Sequence, residues 1–175
     1  MGTIYTDLSS LSNKEIGLLL RPIKSDDNAA IAKVIRSVLE EYGVNQPGTV
    51  YTDKATDELY YHFEEEHAAY WIAELKGEIV GGCGLFPTPG LPDGCIELVK
   101  LYVLNQARGN GIGATLMNLS IDFARELGYK QVYLETMPEL DEAVGLYKKL
   151  GFRMINERLG ASGHFACKIW MVKDL

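Results

Sequence analysis

The chain has 175 residues, 47% of them hydrophobic and 23% charged, which is ordinary for a globular protein that buries one core. Its net charge of −7 argues against nucleic acid as a partner, because that affinity depends on clustered lysine and arginine. Three cysteines without CxxC spacing predict reduced thiols in a cytoplasmic protein and no metal site. With no signal peptide or membrane-length apolar run, we predict one domain over 1–175, residues 1–15 being a tail, and no membrane contact.

Hydrophobic periodicity and turn residues predict eleven elements. In chain order the first five are a strand, two helices and two strands, over 16–23, 31–42, 57–66, 69–75 and 78–86. The next six are a strand, a helix, a strand, a helix and two strands, over 95–104, 112–127, 131–136, 139–150, 152–157 and 165–172. Glycines at 43, 128 and 151 end three of the helices.

This order places an antiparallel meander before one right-handed βαβ crossover in the middle of the chain. It predicts a mixed α/β fold with a mostly antiparallel central sheet. A doubly wound parallel sheet is not expected, because strands and helices do not alternate along the first half.

The most informative segment is a glycine-rich turn between the strand over 95–104 and the helix over 112–127. It reads Gln106-Ala107-Arg108-Gly109-Asn110-Gly111-Ile112-Gly113-Ala114. Glycines let backbone N–H groups converge on one point, and the helix N-terminus and Arg108 add positive charge there. The turn therefore predicts a phosphate-bearing cofactor.

A dinucleotide is one alternative for that cofactor. Gly109-x-Gly111-x-x-Ala114 matches G-x-G-x-x-G/A, and Glu135 follows at the distance of a ribose-binding acid. A dinucleotide fold needs two βαβαβ halves, however, whereas a hairpin precedes this turn and about 40 residues follow Glu135. A dinucleotide-binding protein is therefore the less favoured alternative.

Three blocks of the sequence resemble the GCN5-related N-acetyltransferases (GNAT family), which bind acetyl-coenzyme A. They are the strand segment Glu97-Leu98-Val99-Lys100-Leu101-Tyr102-Val103, the loop 108–113, and the helix segment Leu146-Tyr147-Lys148-Lys149-Leu150-Gly151-Phe152. The element order resembles the family from about residue 16 to the end. The resemblance implies a GNAT-like fold with a βαβ acetyl-coenzyme-A-binding core.

The resemblance also implies an activity. An acetyl group would pass from the cosubstrate acetyl-coenzyme A to a primary amine of a small molecule or peptide, by direct attack in a ternary complex. The acceptor would enter opposite the cofactor, along segments 42–63 and 159–167. A non-catalytic acyl-coenzyme-A sensor is the alternative activity. The resemblance also implies a possible homodimer, since members of the family commonly form one.

The resemblance assigns the cofactor to one strand end and the following loop, at Leu101, Tyr102, Val103, Arg108, Gly109, Asn110, Gly111, Ile112, Gly113 and Ala114. In the family this strand splays away from its neighbour, here 131–136. Its free backbone groups then pair with the pantetheine arm and polarise the thioester carbonyl. Many members carry an asparagine where this chain has Leu140, so one cofactor contact of the family is missing.

Two residues are predicted to move protons. Tyr147 resembles the family's general acid, and a phenol with a pKa near 10 stays protonated beside a departing thiolate. Glu97 lies in mid-strand, where a carboxylate is unusual unless it faces a cleft or an edge. It is the candidate base, directly or through water, because only about one amine in 10³ is neutral at pH 7. A core tyrosine and an ion-paired glutamate are the alternatives.

Overall fold

The structure, a computed structural model, describes residues 13–175, so most of the predicted tail lies outside the described residues. Its helices are α1 Asn28–Glu41, α2 Leu59–His62, α3 Ile112–Glu126 and α4 Asp141–Lys149. Its strands are β1 Leu18–Pro22, β2 Ala69–Leu75, β3 Glu78–Phe86, β4 Cys95–Val103, β5 Gln131–Thr136, β6 Arg153–Ile155 and β7 Ile169–Asp174. Among the described helices, none is long and apolar enough to cross a bilayer.

The strands form one sheet in the order β1-β2-β3-β4-β5-β7-β6. Neighbouring strands are antiparallel except β4 and β5, which run parallel and are joined through α3. The predicted mixed, mostly antiparallel fold is confirmed. A sheet with one parallel pair lacks the two βαβαβ halves that a dinucleotide fold requires.

Helices cover both faces of the sheet because successive strand residues point to opposite sides. In β2, Ile72 belongs to the apolar cluster that contains Ile35 of α1. Its neighbour Trp71 belongs to the cluster on the other face, with Leu116 of α3. All four side chains are at most 2% exposed, and burying each one contributes about 1.5–3 kcal/mol.

The predicted helix over 57–66 is reduced to the single turn of α2. Two 3-10 turns precede it, at Val50–Thr52 and Lys54–Thr56. The side chains of Thr49 and Asp53 accept hydrogen bonds from the backbone at the start of these turns. These bonds shape the chain ahead of α2. After α2 the Glu64 amide donates to the Tyr61 carbonyl, three residues back, so the last turn tightens and the helix ends.

The predicted final strand over 165–172 begins only at Ile169. Before it, the Ala166 amide donates to the Gly48 carbonyl and the Lys168 amide to the Thr136 carbonyl. The first bond leads away from β5, and the second closes the β5–β7 pairing next to Ile169, so the strand begins only there. β1 and β6 are also shorter than the predicted 16–23 and 152–157.

The sheet opens between β4 and β5. The two strands pair only where residues 95–97 meet residues 131–133, so β4 then continues beside β3 alone. A bulge lies in this stretch, because the β3–β4 register shifts between Gly82 and Gly84 and Lys100 has a left-handed φ of 51°. A bulge bends its strand and increases its twist, which separates the end of β4 from β5.

Candidate active site

A cavity of about 390 Å³ occupies the opening beside β4, a volume typical of small-molecule sites. The end of β4, the glycine loop, the first turn of α3, one side of α4 and the end of α1 form its walls. Nine of the ten predicted cofactor residues line it, namely Leu101, Tyr102, Val103, Arg108, Gly109, Gly111, Ile112, Gly113 and Ala114. The strand end and the loop, predicted together as the cofactor site, belong to one cleft.

The loop presents free backbone donors to this cleft. Gly109 and Gly111 have φ of 81° and 74°, and a methyl group placed on either would meet nothing within 4 Å. No N–H of residues 109–114 donates a hydrogen bond to another residue within 13–175. Unpaired N–H groups at a helix N-terminus attract anions, so the glycine loop fits a pyrophosphate.

Two loop residues, Gly113 and Asn110, also serve contacts within the protein. A methyl group at Gly113 would lie 3.2 Å from Leu146, so glycine there lets α3 approach α4 closely. Asn110 is the predicted residue that does not line the cavity, and its side-chain amide donates to the Ala107 carbonyl at 3.1 Å. Its side chain therefore braces the loop and leaves only its backbone N–H for a ligand.

Arg108 lines the cavity, as predicted for a cofactor residue, and its guanidinium is also paired within the protein. Its guanidinium donates two 2.8 Å hydrogen bonds to Glu41, and its Nε donates to the Val103 carbonyl at 3.0 Å. It also lies 5.2 Å from the Tyr42 ring centroid. Through these contacts Arg108 holds the pKa of Glu41 below its usual value and ties the end of α1 to the loop.

A smaller cavity of about 50 Å³ adjoins the larger one, with room for a few water molecules. Leu101, Tyr102 and Leu140 line both cavities, so the two spaces meet at these residues. The predicted base Glu97 and the predicted acid Tyr147 both line the smaller cavity. Residues from β4 and α4, distant in sequence, are thus brought together at one point.

Glu97 is a buried carboxylate, 2% exposed, that accepts a hydrogen bond from the Thr88 hydroxyl. Burial, with a smaller contribution from the nearby Glu135, raises its pKa to about 7 against the lowering effect of the Thr88 hydrogen bond. A pKa near the working pH suits a group that must accept and then release a proton. Glu97 lines a cavity, which explains why a carboxylate can stand in the middle of this strand.

Tyr147 is 5% exposed and packs beside Phe152, with ring centroids 6.1 Å apart. It therefore belongs to the core and also lines the smaller cavity. Burial raises the pKa of its phenol well above the usual value, so the hydroxyl is protonated at neutral pH. The shift makes Tyr147 a constant hydrogen-bond donor and a weaker acid than a solvated phenol.

Sequence reasoning missed a charged group in the smaller cavity. Lys100, whose side chain is 4% exposed, donates to Asp53 at 2.9 Å, and His164 Nε2 lies 3.7 Å from the same oxygen. His164 and Lys100 hold the pKa of Asp53 well below its usual range. A lysine on an apolar face of the predicted strand was an available signal, whereas nothing in the sequence marked Asp53.

Glu135, considered above as a ribose ligand, also lines the smaller cavity. It accepts hydrogen bonds from Tyr133 at 2.8 Å and Ser162 at 2.9 Å, and Arg158 Nε lies 3.5 Å away. Glu135 is therefore held by neighbours on the sheet and on the segment that follows β6.

That segment, residues 156–168, lies over the smaller cavity and is called the cover segment below. His164 and Cys167 on it line the cavity, and burial raises the pKa of the Cys167 thiol to about 12. Its amide at Ala161 donates to the Pro89 carbonyl at 2.8 Å. The acceptor region predicted at 159–167 therefore borders Glu97 and Tyr147.

The fold is that of known acetyltransferases. An acetyltransferase of the GNAT family from Staphylococcus aureus Mu50 superposes with a TM-score of 0.77 at 19% identity, over 90% of this chain and 98% of that one. The PaiA N-acetyltransferase of Thermoplasma acidophilum, solved in complex with coenzyme A, superposes with a TM-score of 0.71 at 14% identity, over 90% and 99%. The sheet, its opening and its glycine loop thus define an acetyltransferase-like fold.

Sequence comparisons give the family. The model of the acetyltransferase (GNAT) family matches residues 34–152. The uncharacterized N-acetyltransferase YjgM of Escherichia coli K12 is 41% identical over 158 residues, which are 90% of this chain and 95% of that protein. Human N-acetyltransferase 8B is 35% identical over 115 residues, 62% of this chain and 51% of that protein. The protein belongs to the GNAT family, which confirms the resemblance and removes the dinucleotide alternative.

Proposed function

We propose that this protein transfers an acetyl group from acetyl-coenzyme A to a primary amine of a small molecule or peptide. The amine would attack the thioester directly in a ternary complex. One observation carries the proposal: the large cleft and the small cavity with Glu97 and Tyr147 meet at Leu101, Tyr102 and Leu140. A thioester at that junction would have the cofactor on one side and the amine on the other.

The chain offers two kinds of backbone group to the cosubstrate. The free N–H groups of residues 109–114 would hold the pyrophosphate. Beyond the last β5 partner, the edge of β4 at Leu101 to Val103 would pair with the pantetheine arm as an added strand does. One N–H of that edge would polarise the thioester carbonyl. The coenzyme A complex of the structurally similar PaiA protein supports this choice of ligand.

Glu97 would take one proton from the arriving ammonium, directly or through a water in the small cavity. The neutral nitrogen then bonds to the acetyl carbon while the carbon–sulfur bond breaks. Tyr147 would donate to the departing sulfur, first as a hydrogen bond and then as a proton when negative charge develops there. The nitrogen sheds a second proton as the amide forms, which restores Tyr147, so each turnover releases one proton through Glu97.

Thermal unfolding with excess acetyl-coenzyme A tests the cofactor. A ligand at 100 times its Kd adds about 2.7 kcal/mol, which corresponds to roughly 5–11 °C for a chain of this size. NAD and ATP serve as controls and should produce no comparable shift. No shift with acetyl-coenzyme A, or an equal shift with NAD, would contradict the proposal.

Thiol release tests the reaction. We expect free coenzyme A to appear only when the protein, acetyl-coenzyme A and an accepted amine are present together. The screen should include alkyl amines, aryl-alkyl amines, amino acids and peptides with free amino termini. An acetyl-coenzyme-A-dependent thermal shift without thiol release from any of these amines would favour the acyl-coenzyme-A sensor instead.

A further inference from the structure

Glu97 depends on one side chain for its hydrogen bonding. Within residues 13–175 the Thr88 hydroxyl is the only group that donates to its carboxylate, at Oε2. Both residues are buried, Thr88 at 7% and Glu97 at 2% exposed. A buried carboxylate without a donor is costly in free energy, so this single contact matters more than one at the surface would.

The chain holds Thr88 in place from several directions. Phe86, the cross-strand partner of Glu97 on β3, accepts a 2.9 Å hydrogen bond from the Thr88 amide. Thr88 therefore lies just past the end of β3, and its hydroxyl reaches back to β4. The next residue, Pro89, accepts the hydrogen bond from Ala161 of the cover segment. Backbone hydrogen bonds at Thr88 and at the next residue thus fix the position from which the hydroxyl reaches Glu97.

We propose that Thr88 is a positioning residue for the base: its hydroxyl holds Oε2 of Glu97, which leaves Oε1 to meet the acceptor amine. This inference rests on the proposed function, because Glu97 is the base only there. The contact would also favour the ionised carboxylate, which accepts a hydrogen bond more strongly than the neutral acid does.

Other groups also act on Glu97. Those that interact with it electrostatically are Cys95, Lys100, Tyr133, Glu135, Arg158 and Cys167. Glu135 raises the pKa of Glu97, while Lys100 and Arg158 lower it. A Thr88 substitution leaves the identity of all these groups unchanged, so a shift in the titration of Glu97 that the control variant lacks would report on the hydroxyl itself.

The direct test is a carbon-13 NMR titration of the Glu97 carboxyl, assigned by the signal that Glu97→Gln removes. We expect Thr88→Val to raise the titration midpoint by about one pH unit, and Thr88→Ser to restore it to within about 0.3 unit. An unchanged midpoint in Thr88→Val, or an equal shift in Thr88→Ser, would overturn the proposal. Thr88→Ala against Thr88→Ser provides the same comparison should valine prevent folding.

A matched control separates this effect from the loss of any buried hydroxyl. Thr56 is 0% exposed and donates to the Val50 carbonyl at 2.9 Å, without contacting Glu97. Thr56→Val should lower the unfolding temperature and leave the Glu97 midpoint in place. A midpoint that moves equally in both variants would show a general loosening of the fold and would overturn the positioning role.

Activity supplies a second readout. In Thr88→Val the acid limb of kcat/KM should move upward with the midpoint, so the rate falls about tenfold below it and recovers at higher pH. A loss that is the same at every pH would contradict the positioning role. Because the NMR titration needs no turnover, it still decides the Thr88–Glu97 link if the wild-type protein releases no thiol, an outcome that defeats only the proposed function.

Discussion

Burial of Glu97 raises its pKa toward neutrality, which the proposed role as a base needs. The same burial lowers the stability of the folded protein when the carboxylate is ionised. Its pKa rises from the usual 4.5 to about 7. Because the folded protein binds this proton more tightly than the unfolded chain, stability falls as pH rises from 4.5 to 7. The full loss above that window is about 3 kcal/mol.

Glu97→Gln removes this titration, and we expect two results. The kcat should fall by roughly 10²–10⁴, with loss of the acid limb near pH 7. The variant should also gain stability relative to wild type between about pH 5 and pH 8, by up to the same 3 kcal/mol. Thermal unfolding at both pH values measures the second effect. An equal stability difference at both would show that Glu97 is not destabilising when ionised.

Tyr147→Phe separates the phenol's packing from its chemistry. The ring keeps its place beside Phe152, so the fold and the acetyl-coenzyme-A-induced thermal shift should be preserved. The kcat should fall by roughly 10²–10⁴, because the departing sulfur loses its proton donor. Thiol release under saturating cosubstrate measures this. Wild-type turnover in the variant would leave Tyr147 as a core residue only.

At the scale of elements, the cleft exists because the two ends of β4 pair differently with their neighbours. Its first three residues hold β5, and its last residues pair with β3 and leave the other edge open. The loop that follows adds donors at the start of α3. A strand edge and a helix terminus, each with unsatisfied backbone groups, therefore face the same space.

Both ends of α3 carry a glycine with left-handed φ, which provides a matched pair of variants. Gly111 precedes the helix at 74° and Gly128 follows it at 84°, and neither has atoms within 4 Å of an added methyl group. Alanine at either position should cost about 1–2 kcal/mol of stability. Only Gly111→Ala should also shrink the thermal shift produced by acetyl-coenzyme A. Equal shrinkage in Gly128→Ala would show that strain alone weakens binding.

At the scale of the whole molecule, the cover segment joins parts of the chain that are far apart in sequence. It touches the loop after β3 at Pro89, the end of β5 at Glu135 and the segment after α1 at Gly48. The Phe165 ring lies where a side chain at Gly48 would be, so a side chain there would displace the ring. The acceptor side of the site is thus assembled from several separate segments.

Gly48→Ala should displace the Phe165 ring and with it the cover segment, and Gly163→Ala is the control. Both glycines have left-handed φ, 83° and 81°, but Gly163 has open space around it. We expect both variants to lose similar stability from backbone strain. Gly48→Ala alone should lower kcat/KM for the acceptor by about tenfold to 10²-fold, with the cofactor-induced thermal shift retained. Equal kinetic losses would mean that Phe165 does not hold the cover segment in place.

Local patterns in the sequence determined most of the fold. The apolar spacing from Ile31 and the helix-ending glycines at 43 and 128 predicted α1 and α3, because these signals act within a few residues. The glycine loop was predicted with its surroundings, since left-handed φ and free N–H groups follow from residue type and position. Glu97 and Tyr147 were predicted as a pair, although no local signal could show that they line one cavity.

Only the tertiary structure decided what surrounds that pair. Asp53, Thr88 and His164 come from three loops, and each acquires its role when the sheet brings those loops to the opening beside β4. The pairing of Arg108 with Glu41 could not be read from the sequence, because the two residues lie far apart along the chain. Sequence periodicity records which residues are buried along an element, whereas the burial that shifts the pKa of Glu97 and the partners of its charge depend on contacts between elements.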